Sequence, residues 1–137
     1  MTEPQEAHPV AEAIRQMLDD ALPAAATVHL GGVPSGATTP YVVLYPDIGT
    51  ESTADRTLDD GVPTDFRFQA TSVGATFTQA ILTAGMANTV LLTTTPTVAG
   101  SRVRPIRQEG SQPVRRDDES SPLWFGTAQY VARSERL

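Results

Sequence analysis

Residues 65–82 read Asp65-Phe66-Arg67-Phe68-Gln69-Ala70-Thr71-Ser72-Val73-Gly74-Ala75-Thr76-Phe77-Thr78-Gln79-Ala80-Ile81-Leu82, and the period of the apolar positions changes inside this stretch. Phe66, Phe68 and Ala70 alternate with Arg67, Gln69 and Thr71, the period-two pattern of a strand buried on one face. The pattern turns at Gly74. Thr76 and Gln79 then have the spacing of a capping box, in which each side chain meets a free backbone N–H of the other. Phe77, Ala80, Ile81, Ala84, Asn88 and Leu91 trace one helical stripe, and Leu82, Met86 and Val90 widen the apolar surface beyond a single sheet contact. Gly85 costs this helix about 1 kcal/mol relative to alanine. Close approach to a sheet or to a neighbouring subunit would justify it.

Working outward, Tyr41-Val42-Val43-Leu44-Tyr45 is apolar on both faces and suits a central strand. Thr27 to Leu30 reads as a short strand ended by Gly31-Gly32, with a turn-rich connection to Thr39. Upstream, Val10, Ile14, Met17, Leu18 and Leu22 recur at helical spacing from Pro9, which suits a first helical position, until Pro23 ends the pattern. Downstream, Arg102 to Arg107 and Leu123 to Ala132 read as the last two strands. Pro105 cannot donate to a ladder, so the first of these should be an edge or bulged strand. Residues 46–63 and 109–122 read as long polar loops, and residues 1–8 and 134–137 as flexible ends. The expectation is one α+β domain over residues 1–137. Its mixed or antiparallel sheet of about four to five strands is covered by two helices, with a long acidic loop at 46–63.

The helix before Leu22-Pro23, the Pro40-Tyr41-Val42-Val43-Leu44 strand and Phe66-x-Phe68-Gln69-x-Thr71-Ser72-x-Gly74 running into a helix together resemble the tail terminator (tail completion) proteins of long-tailed bacteriophages. The resemblance covers Pro9 to Val131. It implies a homo-hexameric ring at the head-proximal end of the tail tube that stops tube growth and then docks to the head-tail connector. The partners it implies are further copies of the chain, the major tail (tube) protein and the connector, with DNA passing through the ring without specific binding. The place it implies is the virion tail, assembled in the host cytoplasm.

Composition narrows the chemistry independently. The 137 residues fit one domain with its own core. Cysteine is absent, and all ten basic residues are arginine. A thiol nucleophile, a Walker-type phosphate loop and a Schiff-base lysine are therefore excluded. His8 and His29 are the only histidines and lack a metal-ligand spacing. Asp59-Asp60 and Asp117-Asp118-Glu119 are local carboxylate runs whose usual role is solvated charge. No catalytic centre, cofactor or metal is expected. The polar start of the chain does not read as a secretory signal, and no apolar run is long enough to span a membrane.

Charge is unevenly spread. Residues 1–65 hold eleven carboxylates and two arginines, net −9, whereas residues 66–137 hold five carboxylates and eight arginines, net +3. With a pI near 4.7, general nucleic-acid binding is disfavoured. Such polarity suits head-to-tail contact between copies. Arg102, Arg104, Arg107, Arg115 and Arg116, with Met86 and Val90 on the second helix, are the candidate subunit interface. Asp47, Glu51, Asp55, Asp59 and Asp60 mark the loop expected to touch the tube or a neighbour. A head-tail connector or adaptor protein is the alternative within the virion. A small hydrolase using the Asp59 and Asp117 loops is the alternative outside it.

Overall fold

The computed structural model describes residues 6–51, 63–116 and 122–137. Helix α1 spans Ala7–Ala21 and buries Val10, Ala11, Ile14 and Leu18. It starts two residues before Pro9, because a proline anywhere in the first turn lacks only an N–H that has no intrahelical acceptor. Ala7 and His8 are thus helical, a correction to the flexible end expected over 1–8. Leu22 closes the helix, its N–H donating to the Leu18 carbonyl at 3.0 Å.

The strands are β1 (Thr27–Leu30), β2 (Tyr41–Pro46), β3 (Thr50–Glu51), β4 (Thr64–Gly74), β5 (Ser101–Val103), β6 (Arg107–Ser111), β7 (Arg115–Arg116) and β8 (Trp124–Arg136), with helix α2 (Phe77–Thr93) between β4 and β5. They form one mixed sheet in the order β1-β2-β4-β8-β5, with β3 also on β4 and with β6 and β7 also on β8. Among the described residues β1 and β2 run parallel and the other pairs are antiparallel.

The eight strands among the described residues exceed the four to five expected, for a physical reason. β5, β6 and β7 are successive pieces of one run along the thirteen-residue β8. Pro105, which has no N–H to give, separates the first two, and the register shifts between Gln108 and Gly110. Residues 110–111 and 115–116, expected in a polar loop, are drawn into this ladder. The C-terminal end is paired as well: Ser134, Glu135 and Arg136 face Val103, Arg102 and Ser101, and Ser134 is buried. Short β3 was hidden in the expected 46–63 loop; residues 52–62 of that loop, and with them its length and acidity, lie outside the described residues.

Both helices lie on one face of the sheet. Register places Phe66, Phe68, Ala70 and Ser72 of β4 beside Ala132, Tyr130, Ala128 and Gly126 of β8 on that face. The apolar members pack with Val42, Leu44, the α1 stripe, Ala87 and Leu91 into the main core, where Phe68 and Tyr130 stack at 5.4 Å. Fully burying a leucine such as Leu18, Leu44 or Leu91 stabilises by roughly 1.5–3 kcal/mol.

The start of α2 sits directly on the sheet. A Cβ at Gly74 would lie 2.5 Å from the Ala80 nitrogen, so only glycine lets the chain reverse here. The cap forms with a shift from the expected box. Gln79 N–H donates to Thr76 Oγ1 at 3.1 Å, while Gln79 Oε1 accepts from the Ala75 N–H at 2.7 Å, one residue earlier than the box predicts.

Candidate assembly surfaces

The helix-free face of the sheet carries several arginines. Register aligns Arg67 on β4, Val131 on β8 and Arg107 on β6 across the sheet. Val131 is buried although no helix covers it. Arg67 spans this position to reach Glu109 at 3.1 Å, so a guanidinium stem shields an apolar side chain. Arg133 pairs with Asp65 at 2.8 Å across β4 and β8. Beside them Tyr41, Val43 and Val73 form a small second cluster with Ala37, Leu123 and Phe125.

The five arginines singled out in the sequence do not form one patch. Arg104 is taken by Glu135, at 2.7 Å within the same chain. Arg115 lies over the Phe125 ring and Arg116 over Trp124 at 4.9 Å, on opposite faces because their β8 partners alternate. Arg102 and Arg107 are exposed and make no ion pair among the described residues. The two aromatic supports, Phe125 and Trp124, escaped sequence reading because strand register alone brings them under the arginines.

Helix α2 offers the second surface. None of its seventeen residues is charged, yet it buries only Ala80, Thr83, Ala87 and Leu91. Phe77 and Ile81 are 45% exposed, Leu82 60% and Met86 38%, with Leu92 beyond them. These large side chains share the open side with Thr78, Thr89 and Thr93, and contiguous apolar surface of this kind marks a contact site. Met86 therefore stands on an open apolar face, whereas Val90 is half-buried and packs against the main core.

Between α2 and the β6–β7 stretch runs an open cleft of about 280 Å³. Gly126 and Ala128 form its floor, Ile81, Ala84 and Gly85 one wall, Gln108, Ser111, Gln112 and Val114 the other, and none of the lining residues is charged. Tyr130 stands at one end, donating to Asn88 Oδ1 at 2.7 Å. Burial pushes its phenol up to about 12. Trp124, edge-on to Phe77 at 5.7 Å and covered by Arg116, lies beyond Gly126 at the other end. Gly85 opens onto this region with nothing within 4 Å of where its Cβ would be, so the sheet is not the reason for the glycine.

The polar candidates elsewhere have structural partners. His29 Nε2 is 3.0 Å from Thr27 Oγ1, and its ring meets Tyr41 edge-on. His8 is exposed on the first turn of α1. Asp47 Oδ1 accepts the N–H groups of Gly49 and Arg67 at 2.9 and 3.0 Å, tying the turn after β2 to β4. Glu51 lies on β3. Asp55, Asp59 and Asp60, like Asp117, Asp118 and Glu119, lie outside the described residues. Among the described residues no three His, Asp or Glu side chains converge to hold a metal ion, and no helix is long and apolar enough to cross a membrane.

The fold is that of a two-layer α+β domain, two helices on one face of a mixed sheet. It is similar from end to end to a chain of a solved structure described as the virion of a native gene transfer agent particle. That similarity has a TM-score of 0.67 at 19% identity and covers 97% of this chain and 99% of the other. No family model and no curated protein sequence matches the chain.

Proposed function

We propose that the chain is a structural protein of a phage-like virion, without catalytic activity, and that its place is the tail terminator. As a ring of six copies on the head-proximal end of the tail tube it stops tube polymerisation and offers the surface to which the head-tail connector docks. The observation that carries this reading is the end-to-end likeness to a chain of a gene transfer agent virion. The exposed, uncharged face of α2 supports it, because such a face in a small domain belongs in a subunit contact. The acidic first half and the arginine-rich second half suit head-to-tail contact between copies, which closes into a ring.

The experiment is deletion of the gene, followed by electron microscopy of the lysate. A terminator leaves tails of uncontrolled length that lack heads. Tails of normal length that fail to join heads identify a connector or adaptor instead. Complete, infectious particles of normal form would contradict a virion role altogether.

A further inference from the structure

We propose that the Ile48 turn of one copy seats in the α2 cleft of the next, beside Gly85, and that this knob and groove is the head-to-tail joint of the ring. The proposal rests on the assembly reading above and names its contact.

Ile48 is 88% exposed, the most exposed large apolar side chain among the described residues, yet the turn that carries it is firmly held. The Asp47 carboxylate binds two backbone N–H groups, and the Asp47 N–H donates to the Arg67 carbonyl at 2.9 Å. Gly49 has φ +96°, and a Cβ there would lie 2.6 Å from Phe66, so this glycine is required by conformation and by space. An apolar side chain displayed on a locked turn has little ordering entropy left to lose on docking.

The cleft supplies the complementary shape. Gly85 costs α2 about 1 kcal/mol, and a Cβ there would meet nothing within 4 Å, which leaves a notch in an uncharged wall. The two features occupy opposite flanks of the sheet. Ile48 lies between β2 and β3, both on the edge of β4 away from β8, whereas the cleft lies over β8 towards β6 and β7. One copy therefore cannot fill its own cleft, and a repeated contact between opposite flanks is heterologous, the kind that closes rings. Charge agrees in sign: Asp47 and Glu51 bracket the knob, while Arg116 stands over Trp124 at one end of the cleft.

The chain has no cysteine, which makes crosslinking clean. Ile48→Cys protein is mixed with Gly85→Cys protein, in purified rings and in particles assembled from both, and oxidised. The mixed disulfide should form roughly tenfold or more faster than either like pair, because docking raises the effective concentration of the two thiols. Gly85→Leu, which fills the notch while favouring the helix, should keep the free chain folded and weaken ring formation at least tenfold. Rings that form as readily with Gly85→Leu overturn the joint while leaving the ring intact. Dominance of the Gly85→Cys like pair overturns it in favour of two-fold packing of α2 on α2. A wild-type chain that associates with itself neither when purified nor in particles overturns the ring reading as well.

Discussion

The Tyr130 hydroxyl of β8 donates to Asn88 Oδ1 of α2 at 2.7 Å, and it is a direct polar tie between the central sheet and the helix whose outer face is open. Tyr130 is fully buried and stacked on Phe68, so its ring and its hydroxyl fix the same element.

Replacing Tyr130 by Phe keeps the stack and removes the tie. The expected loss is about 0.5–1.5 kcal/mol, read from urea unfolding at neutral pH. The wild type should show a pH dependence that the variant lacks. The Tyr130 phenol is raised to about 12 in the folded chain, whereas an unfolded tyrosine titrates near 10. The folded state thus holds its proton where the unfolded state has lost it. This contribution is complete below about pH 10 and disappears as pH rises towards 12, a loss of roughly 2–3 kcal/mol. Equal pH slopes for the two proteins between pH 10 and 12 would contradict the assignment.

Three glycines separate fold from assembly. Gly74→Ala drives a methyl group into the backbone of α2 at Ala80, and Gly49→Ala places one against Phe66 at positive φ. Each should destabilise by roughly 1–3 kcal/mol in thermal or urea unfolding. Gly85→Ala meets nothing and should stabilise by roughly 0.5–1 kcal/mol. A destabilised Gly85→Ala chain would mean that the helix needs its glycine after all.

Charge reversal at Arg102 and Arg107 tests the electrostatic part of the proposed ring. These two make no ion pair among the described residues, whereas Arg104 is already held by Glu135. The double variant Arg102→Glu with Arg107→Glu should weaken ring formation at low salt and much less at high salt, because exposed pairs of about 0–1 kcal/mol each are screened. Sedimentation at two ionic strengths reads this directly. Unchanged assembly at low salt would leave the arginines as ordinary surface.

The alternation of Phe66, Phe68 and Ala70 and the switch of period after Gly74 made β4 and α2 legible in the sequence, because strand burial and helix capping are local. The break at Pro105 was legible for the same reason. Strands β3, β6 and β7 were not: Thr50-Glu51, Gln108-Glu109-Gly110 and Arg115-Arg116 carry no apolar pattern. They are strands only because long β4 and β8 offer them partners. Their exposed side chains gave loop signals while their backbone is laddered. The arginine cluster was visible as composition, but its division between the two faces depends on which β8 residue each one faces. The breadth of apolar surface on α2 was readable. That Phe77 and Ile81 stay exposed while Thr83 is buried was not, since the uncharged helix has large apolar residues on more than one side and the close approach at Gly74 helps to set its rotation.

His8→Ala together with His29→Ala tests the absence of catalysis. The chain has neither cysteine nor lysine, and of its two histidines His29 is spent on Thr27 and Tyr41. Particle yield and infectivity should stay within about twofold of wild type, a stability change of a few tenths of a kcal/mol at most being expected for such partly exposed positions. Loss of an enzymatic turnover in the variant would overturn the structural reading.

The proposed ring of this chain sits at the head-proximal end of a tail tube. A cryo-electron microscopy reconstruction of purified particles carrying a small tag on Leu137, which is 82% exposed, locates it most directly. One ring of six tags is expected at the junction between the tube and the connector. Tags along the whole tube, within the head, or absent from the particle would contradict it.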